Sequence, residues 1–289
     1  MAKIEVFADS SCDFPREYAA AMHISIVPLT VSFGNRQFTD GVDIDTNTFF
    51  RLLRENPSVI PKTSAPSPDE FMKAFLGVGD DCEKIICVTV TSKSSSSYNS
   101  AVIAKNILNE DPGFKPQIIV FDSLNASLAI GFIASEATAL AQQGEAFDKI
   151  LLRLNQMRNR TSIYFILDTL EYVRKGGRIG AIKAVLGSLL NIKPILTFRN
   201  GTPADVDKTR GFPQAQLKLV KLFTDKAISR DEVYIIHAAS KKHAEELADT
   251  IQRLAPNICI HIFEVGAVMG TYTGPGGIGL VFEEKFNKQ

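Results

Sequence analysis

The feature that most constrains this chain is the alternation of short β-rich runs with helical stretches through its first half. Residues 4–9, 24–33, 84–91 and 117–122 read as strands, and residues 13–22, 45–56, 67–78, 96–109 and 125–143 between them read as helices. That alternation builds βαβ units around a mainly parallel sheet flanked by helices. One helix start is marked by its own chemistry. Ser67-Pro68-Asp69-Glu70 has capping-box spacing, proline at the first helical position and two acids in the positively polarised first turn.

After a Lys/Arg-rich helix at 146–159 the order changes. A strand at 162–168 comes next, then two short helices within 169–190, a hairpin turning on Asn200-Gly201, a helix at 212–226, and finally strand, helix, strand and a last strand at 277–283. Asn-Gly between two β-rich runs is a strong short-range hairpin signal. The second sheet is therefore expected to be mixed and partly antiparallel. With 289 residues, more than one core usually holds, the expectation is two α/β domains, 1–160 and 161–289.

Thirty-two basic and thirty-two acidic side chains leave no net charge to draw nucleic acid or an anionic membrane. The N-terminus carries acids where a signal peptide needs an apolar stretch, and no run approaches about 18 apolar residues, so a cytoplasmic protein without stable membrane insertion is expected. Cys12, Cys82, Cys87 and Cys259 lack the paired spacing of a zinc site and read as reduced thiols; the four histidines show no metal-ligand spacing. Nucleophile-elbow, zincin and kinase motifs are absent from the sequence. No metal, no cofactor and no enzyme chemistry of the familiar kinds is expected.

Four segments carry polar chemistry. Pro61-Lys62-Thr63-Ser64-Ala65-Pro66-Ser67-Pro68 is a proline-stiffened hydroxyl loop, readable as a solvated cap or as a binding loop. Thr89, Thr91, Ser92 and Ser94-Ser95-Ser96-Ser97 run from a strand end into a helix start, where open α/β sheets place ligands, although a flexible polar loop reads equally well. Arg174-Lys175-Gly176-Gly177-Arg178 is either a glycine helix stop with solvated bases or a pair of guanidiniums aimed at a carboxylate or phosphate. Residues 266–277 are the most glycine-dense stretch, without a Walker or dinucleotide fingerprint.

In order along the chain, Asp9-Ser10-Ser11-Cys12-Asp13, Thr63-Ser64-Ala65-Pro66-Ser67, the segment 91–101, Arg174-Lys175-Gly176-Gly177-Arg178-Ile179 and Gly270-Thr271-Tyr272-Thr273-Gly274-Pro275-Gly276 resemble the motifs of the DegV family of bacterial lipid-binding proteins. The resemblance implies one long-chain fatty acid held between two α/β domains, and a carrier that presents the fatty acid to a separate ATP-dependent fatty acid kinase. It assigns the carboxyl group to Thr63 and Ser95, with Arg174 and Tyr272 on the headgroup side. The helix positions Ala126, Ala129, Ile130 and Ile133 offer small and branched side chains for a tail slot, and equally for plain core packing. Two departures stand out: the family's Leu-Ser-Gly-Thr is Ser94-Ser95-Ser96-Ser97 here, and Tyr272 replaces a histidine. The competing reading is a phosphate- or nucleotide-handling enzyme using Arg174, Arg178 and the loop Gly274-Pro275-Gly276-Gly277.

Overall fold

The computed structural model describes residues 3–180, 182, 192–228 and 231–285. The first half runs β1 (Lys3–Asp9), a 3-10 turn (Ser10–Cys12), α1 (Arg16–Ala21), β2 (Ile24–Val27), β3 (Thr30–Phe33), β4 (Arg36–Thr39), α2 (Thr46–Glu55), β5 (Lys62–Ser64), α3 (Pro68–Leu76), β6 (Cys82–Thr89), α4 (Ser97–Asn109), β7 (Gln117–Asp122), α5 (Leu128–Gln142) and α6 (Phe147–Arg160). The second runs β8 (Thr161–Ile166), α7 (Glu171–Lys175), β9 (Ile192–Arg199), β10 (Thr202–Arg210), α8 (Phe212–Lys226), β11 (Glu232–His237), α9 (Lys241–Leu254), β12 (Cys259–Glu264), α10 (Ala267–Thr273) and β13 (Ile278–Glu283). The second short helix expected before residue 190 falls largely on 181 and 183–191, outside the described residues.

Four parallel strands in the order β2-β1-β6-β7 form the first sheet. Their apolar runs are buried, as a parallel sheet covered by helices requires. The sequence suggests one strand over 24–33, but the chain breaks at Pro28, which has no N–H to donate to a ladder. Beyond that break the chain leaves the parallel sheet: β3 pairs antiparallel with β4 and β5 in a separate three-stranded sheet. The predicted capping box of α3 is formed, with Ser67 Oγ accepting from Glu70 N at 3.2 Å and Glu70 Oε2 from Ser67 N at 2.7 Å.

The second sheet has the order β10-β9-β8-β13-β11-β12, parallel only between β11 and β12 and antiparallel elsewhere. Its hairpin turns on Asn200 and Gly201, both at positive φ (48° and 80°), the geometry that an Asn-Gly turn favours.

One continuous apolar core joins the facing sides of the two sheets, running from Val6, Ile86 and Val88 through α5 to Ile163, Ile236 and Val281. Separate clusters lie behind each sheet, under α3 and α4 and under α8 and α9. Polar bonds also cross between the halves: Asn125 Nδ2 donates to Thr161 O at 3.0 Å, Thr46 Oγ1 to Val265 O at 3.2 Å, and Thr91 Oγ1 to Gly201 O at 2.9 Å. The last of these docks the hairpin tip against the start of the serine-rich loop. Asn125 lies between Leu124 and Ser127, two non-glycine residues at positive φ (51° and 58°), so the chain entering α5 is tightly bent.

Candidate functional site

A cavity of about 400 Å³ opens between the halves at the C-terminal ends of β1 and β6, the edge where parallel sheets place ligands. Most of its wall is apolar and comes from both sides, including Leu29, Val90 and Ala126 from the first half and Phe165, Phe198 and Val268 from the second. Hydroxyls gather along one part of the wall: Thr63, Ser64, Ser94, Ser95, Ser96 and Tyr272, with the Arg178 side chain beside them.

Those groups are tied to each other. Thr63 sits on β5, whose pairing with β3 sets it opposite Val31, and its Oγ1 lies 2.5 Å from the Tyr272 hydroxyl. Tyr272 belongs to the last turn of α10, and its ring lies beneath the Arg178 guanidinium, 5.2 Å from carbon to centroid. Arg178 in turn donates to Ser94 O at 3.3 Å and to Gly176 O at 3.0 Å. A Cβ on Gly176 would stand 2.6 Å from the Tyr272 ring, so this glycine is what lets the ring approach. The chain Thr63–Tyr272–Arg178–Ser94 thus brings together segments singled out in the sequence, its first link spanning 209 positions.

The serine run is built rather than loose. Ser97 opens α4 and is fully buried; its N–H donates to Ser95 Oγ at 3.2 Å, and the two hydroxyls are also 3.2 Å apart. Ser95 is half-buried on the cavity wall. Arg174 stands apart from this group: it is exposed on the last turn of α7 and is not among the lining residues, and Arg178 is the guanidinium beside Tyr272. Of the four helix positions, Ala126 lines the cavity, whereas Ala129, Ile130 and Ile133 are fully buried in the shared core and not among its lining residues. They fill the space between α5 and the sheets because the helix is buried on nearly every side.

The glycine-dense stretch holds a helix that the sequence does not announce. α10 occupies Ala267–Thr273, and two buried acids hold its start: Asp13 Oδ1 accepts from Gly266 N at 2.8 Å and Asp40 Oδ1 from Ala267 N at 3.0 Å. Asp13 Oδ2 also accepts from Ser127 Oγ at 2.5 Å, joining the starts of α5 and α10 through one carboxyl group. A third acid, Asp9, has no exposed surface. It accepts from Ser11 N at 3.1 Å and Val90 N at 2.9 Å, and the hydroxyls of Ser97 and Ser11 also stabilise its charge. Loss of water pushes Asp9 and Asp40 up to about 6 and raises Asp13 well above the usual carboxylate range. The sequence signal for this cluster was Asp9-Ser10-Ser11-Cys12-Asp13, a pair of acids at the end of an apolar strand.

The glycines of the loop proposed for phosphate answer to packing. A Cβ at Gly276 would stand 2.8 Å from Asp168 Cβ, and one at Gly274 would run into the Tyr172 ring. Among the described residues no group of three or more His, Cys, Asp or Glu is arranged to hold a metal ion. Nor is any helix there long and apolar enough to cross a membrane.

Comparison with known proteins finds relatives that match nearly the whole chain. The model of the DegV family, a family of uncharacterised proteins, matches residues 3–285. A DegV domain-containing protein from Caldanaerobacter subterraneus subsp. tengcongensis is 31% identical over 99% of this chain and 100% of its own. Among solved structures, a DegV family protein from Thermus thermophilus, described by its fatty acid binding, superposes with a TM-score of 0.87 at 28% identity, covering 97% of this chain and 99% of its own. A stearic acid-binding protein from Eubacterium ventriosum gives 0.88 at 26% identity, over 99% of both chains.

Proposed function

The chain belongs to the DegV family, and from that premise we propose that it binds one long-chain fatty acid, tail in the cavity and carboxyl group against Thr63, Ser95 and Tyr272, and presents it to a separate ATP-dependent kinase. The solved relatives are described as fatty-acid-binding proteins, not as enzymes. In this reading the two sheets mark two domains meeting near residue 160, the lipid lies between them, and the protein works in the cytoplasm.

The observation that carries the proposal is the cavity's division of labour, an apolar wall with one bonded group of hydroxyls. Burying about fourteen methylenes is worth roughly 11 kcal/mol at about 0.8 kcal/mol each before ordering costs. The tail therefore supplies affinity and the headgroup needs only satisfied hydrogen bonds. Hydroxyls meet that need in either protonation state of the acid, because each both donates and accepts. Exposed Arg174 lies outside the cavity, where it is available to a partner's active site.

Native mass spectrometry of the protein purified from a bacterial host is expected to find one fatty acid per chain, and the delipidated protein is expected to take up oleate or palmitate. A bare chain mass with no gain on adding either lipid would overturn the proposal.

A further inference from the structure

We infer that Thr91 is the positioning residue that holds Ser95 against the lipid's carboxyl group, and that the β9–β10 hairpin of the second half must be docked on Thr91 for it to do so. The inference deepens the fatty-acid reading above and rests on it, since that reading is what places the carboxyl at Ser95.

Thr91 lies just past the end of β6 and has no exposed surface. Each of its polar groups ties down a different atom. Its N–H donates to Asn125 O at 2.9 Å, which fixes it to the chain entering α5. Its carbonyl accepts from Ser94 N at 3.1 Å and from Ser95 N at 3.2 Å, folding the serine run into a turn that delivers Ser95 to the cavity wall. The single hydrogen of its hydroxyl goes to Gly201 O at 2.9 Å, while the same oxygen accepts from Lys93 N at 3.3 Å. One buried side chain therefore braces the inside of the turn and joins it to the tip of the hairpin.

Among the described residues, Ser95 itself bonds only to Thr91 and Ser97, both in the first half. The second half reaches it through its neighbours: Gly201 holds Thr91, and Arg178 Nε donates to Ser94 O at 3.3 Å. The approach at the hairpin tip is close. A Cβ on Gly201 would stand 2.4 Å from Thr91 Oγ1 and 3.1 Å from Lys93 Cγ, at a φ of 80°. The turn alone asks for the positive φ; the contact with Thr91 asks for the missing side chain as well.

Without the Thr91 hydroxyl, the Gly201 carbonyl and the Lys93 N–H lose their shared partner and the turn no longer holds Ser95 in one direction. The tail still fills the cavity, so the loss falls on the share of affinity that comes from the carboxyl. Because one short loop serves both contacts, docking the hairpin and seating the carboxyl favour each other by the same factor.

The test is calorimetry of palmitate binding to the full chain in a double-mutant cycle of Thr91→Val and Ser95→Ala. Thr91→Val keeps the branched shape and removes the hydroxyl. It is expected to weaken palmitate binding about tenfold when Ser95 is present, and by less than about twofold once Ser95 is alanine. Thr91→Ser, which restores the hydroxyl, is expected to restore affinity. An equal loss with and without Ser95, no loss at all, or no recovery in Thr91→Ser overturns the positioning role and leaves lipid binding standing. Gly201→Ala leaves Thr91 intact and pushes the hairpin tip away from it, so it is expected to show the same Ser95-dependent loss, and it carries the test should Thr91→Val not fold. Full affinity in Gly201→Ala overturns the need for the docked hairpin. If the unmutated protein takes up no palmitate, the lipid reading falls and the inference with it.

Discussion

Tyr272 meets the first half through its hydroxyl and Arg178 through its ring, so the proposed headgroup site depends on single side chains whose removal is readable. Replacing both Thr63 and Ser95 with alanine leaves a buried carboxyl group short of partners, at roughly 1–3 kcal/mol for each. Fatty-acid affinity, measured by calorimetry, is expected to fall at least about tenfold while the circular dichroism spectrum is unchanged. Arg174 calls for a different measurement. In an assay coupled to a fatty acid kinase, Arg174→Ala is expected to slow acyl phosphate formation while the lipid dissociation constant stays the same, because the side chain is exposed and outside the cavity wall. Tyr272→His, which adds a group able to carry positive charge, is expected to raise turnover with little change in affinity. Acyl phosphate formed from ATP, magnesium and fatty acid without any partner would overturn the carrier reading.

α10 shows why glycine density misleads at the scale of an element. Gly270 packs so closely on α2 that a Cβ there would stand 2.6 Å from Phe49 Cε1, with Phe50 also in contact. Gly270→Ala therefore pushes α10 away from α2 and carries Tyr272 with it. An overpacking loss of about 1–3 kcal/mol is expected, seen as a lower melting temperature together with weaker lipid binding. Gly113→Ala, which meets only the Asp111 side chain within reach of its Cβ, is the control and is expected to leave binding unchanged. The elements legible in the sequence are those whose cause is local: the capping box of α3, the Asn-Gly hairpin, and α8, which matches the expected 212–226. β3, β4 and β5 were not legible as a sheet, because β5 joins β3 across some thirty intervening residues and the break at Pro28 looks like continuous strand. From residue types alone the hydroxyl segments were legible as chemistry, and only the family resemblance joined Thr63, Ser95 and Tyr272 into one expected site. That Arg178, and not Arg174, lies over Tyr272 follows from the chain path at Gly176, where both readings of the motif looked alike.

At the scale of the whole molecule, the buried acids give stability an unusual dependence on pH. Asp9 and Asp40 titrate near 6 in the fold, and Asp13 is raised as well. An unfolded carboxyl titrates near about 4. The fold therefore holds these protons more tightly than the unfolded chain does. For Asp9 and Asp40 the stabilising contribution is complete below about pH 4 and is lost as pH rises through about 6, on the order of 2–3 kcal/mol each. His237 acts in the opposite sense, since burial lowers its value and its neutral form gains as pH rises through about 6.5. The carboxylates of exposed Asp45 and half-buried Asp207 are lowered by their hydrogen-bond partners and matter only under more acid conditions. Comparison with Asp40→Asn isolates the buried term. Its amide oxygen still accepts from Ala267, and the variant is expected to lose less melting temperature than the unmutated chain between about pH 5 and about pH 7. Equal slopes would remove Asp40 from the account.

β13 lies between β8 and β11 in the middle of the second sheet, and Gly277 and Ile278 at its start belong to the cavity wall. Synthesis on the ribosome delivers that strand after the other described strands. Until it emerges, β8 and β11 have nothing to bridge them and the slot lacks a side. A nascent chain stalled before Ile278 is therefore expected to retain no radiolabelled oleate. Lipid should enter only after β13 has joined β8 and β11, as a late step in the protein's maturation.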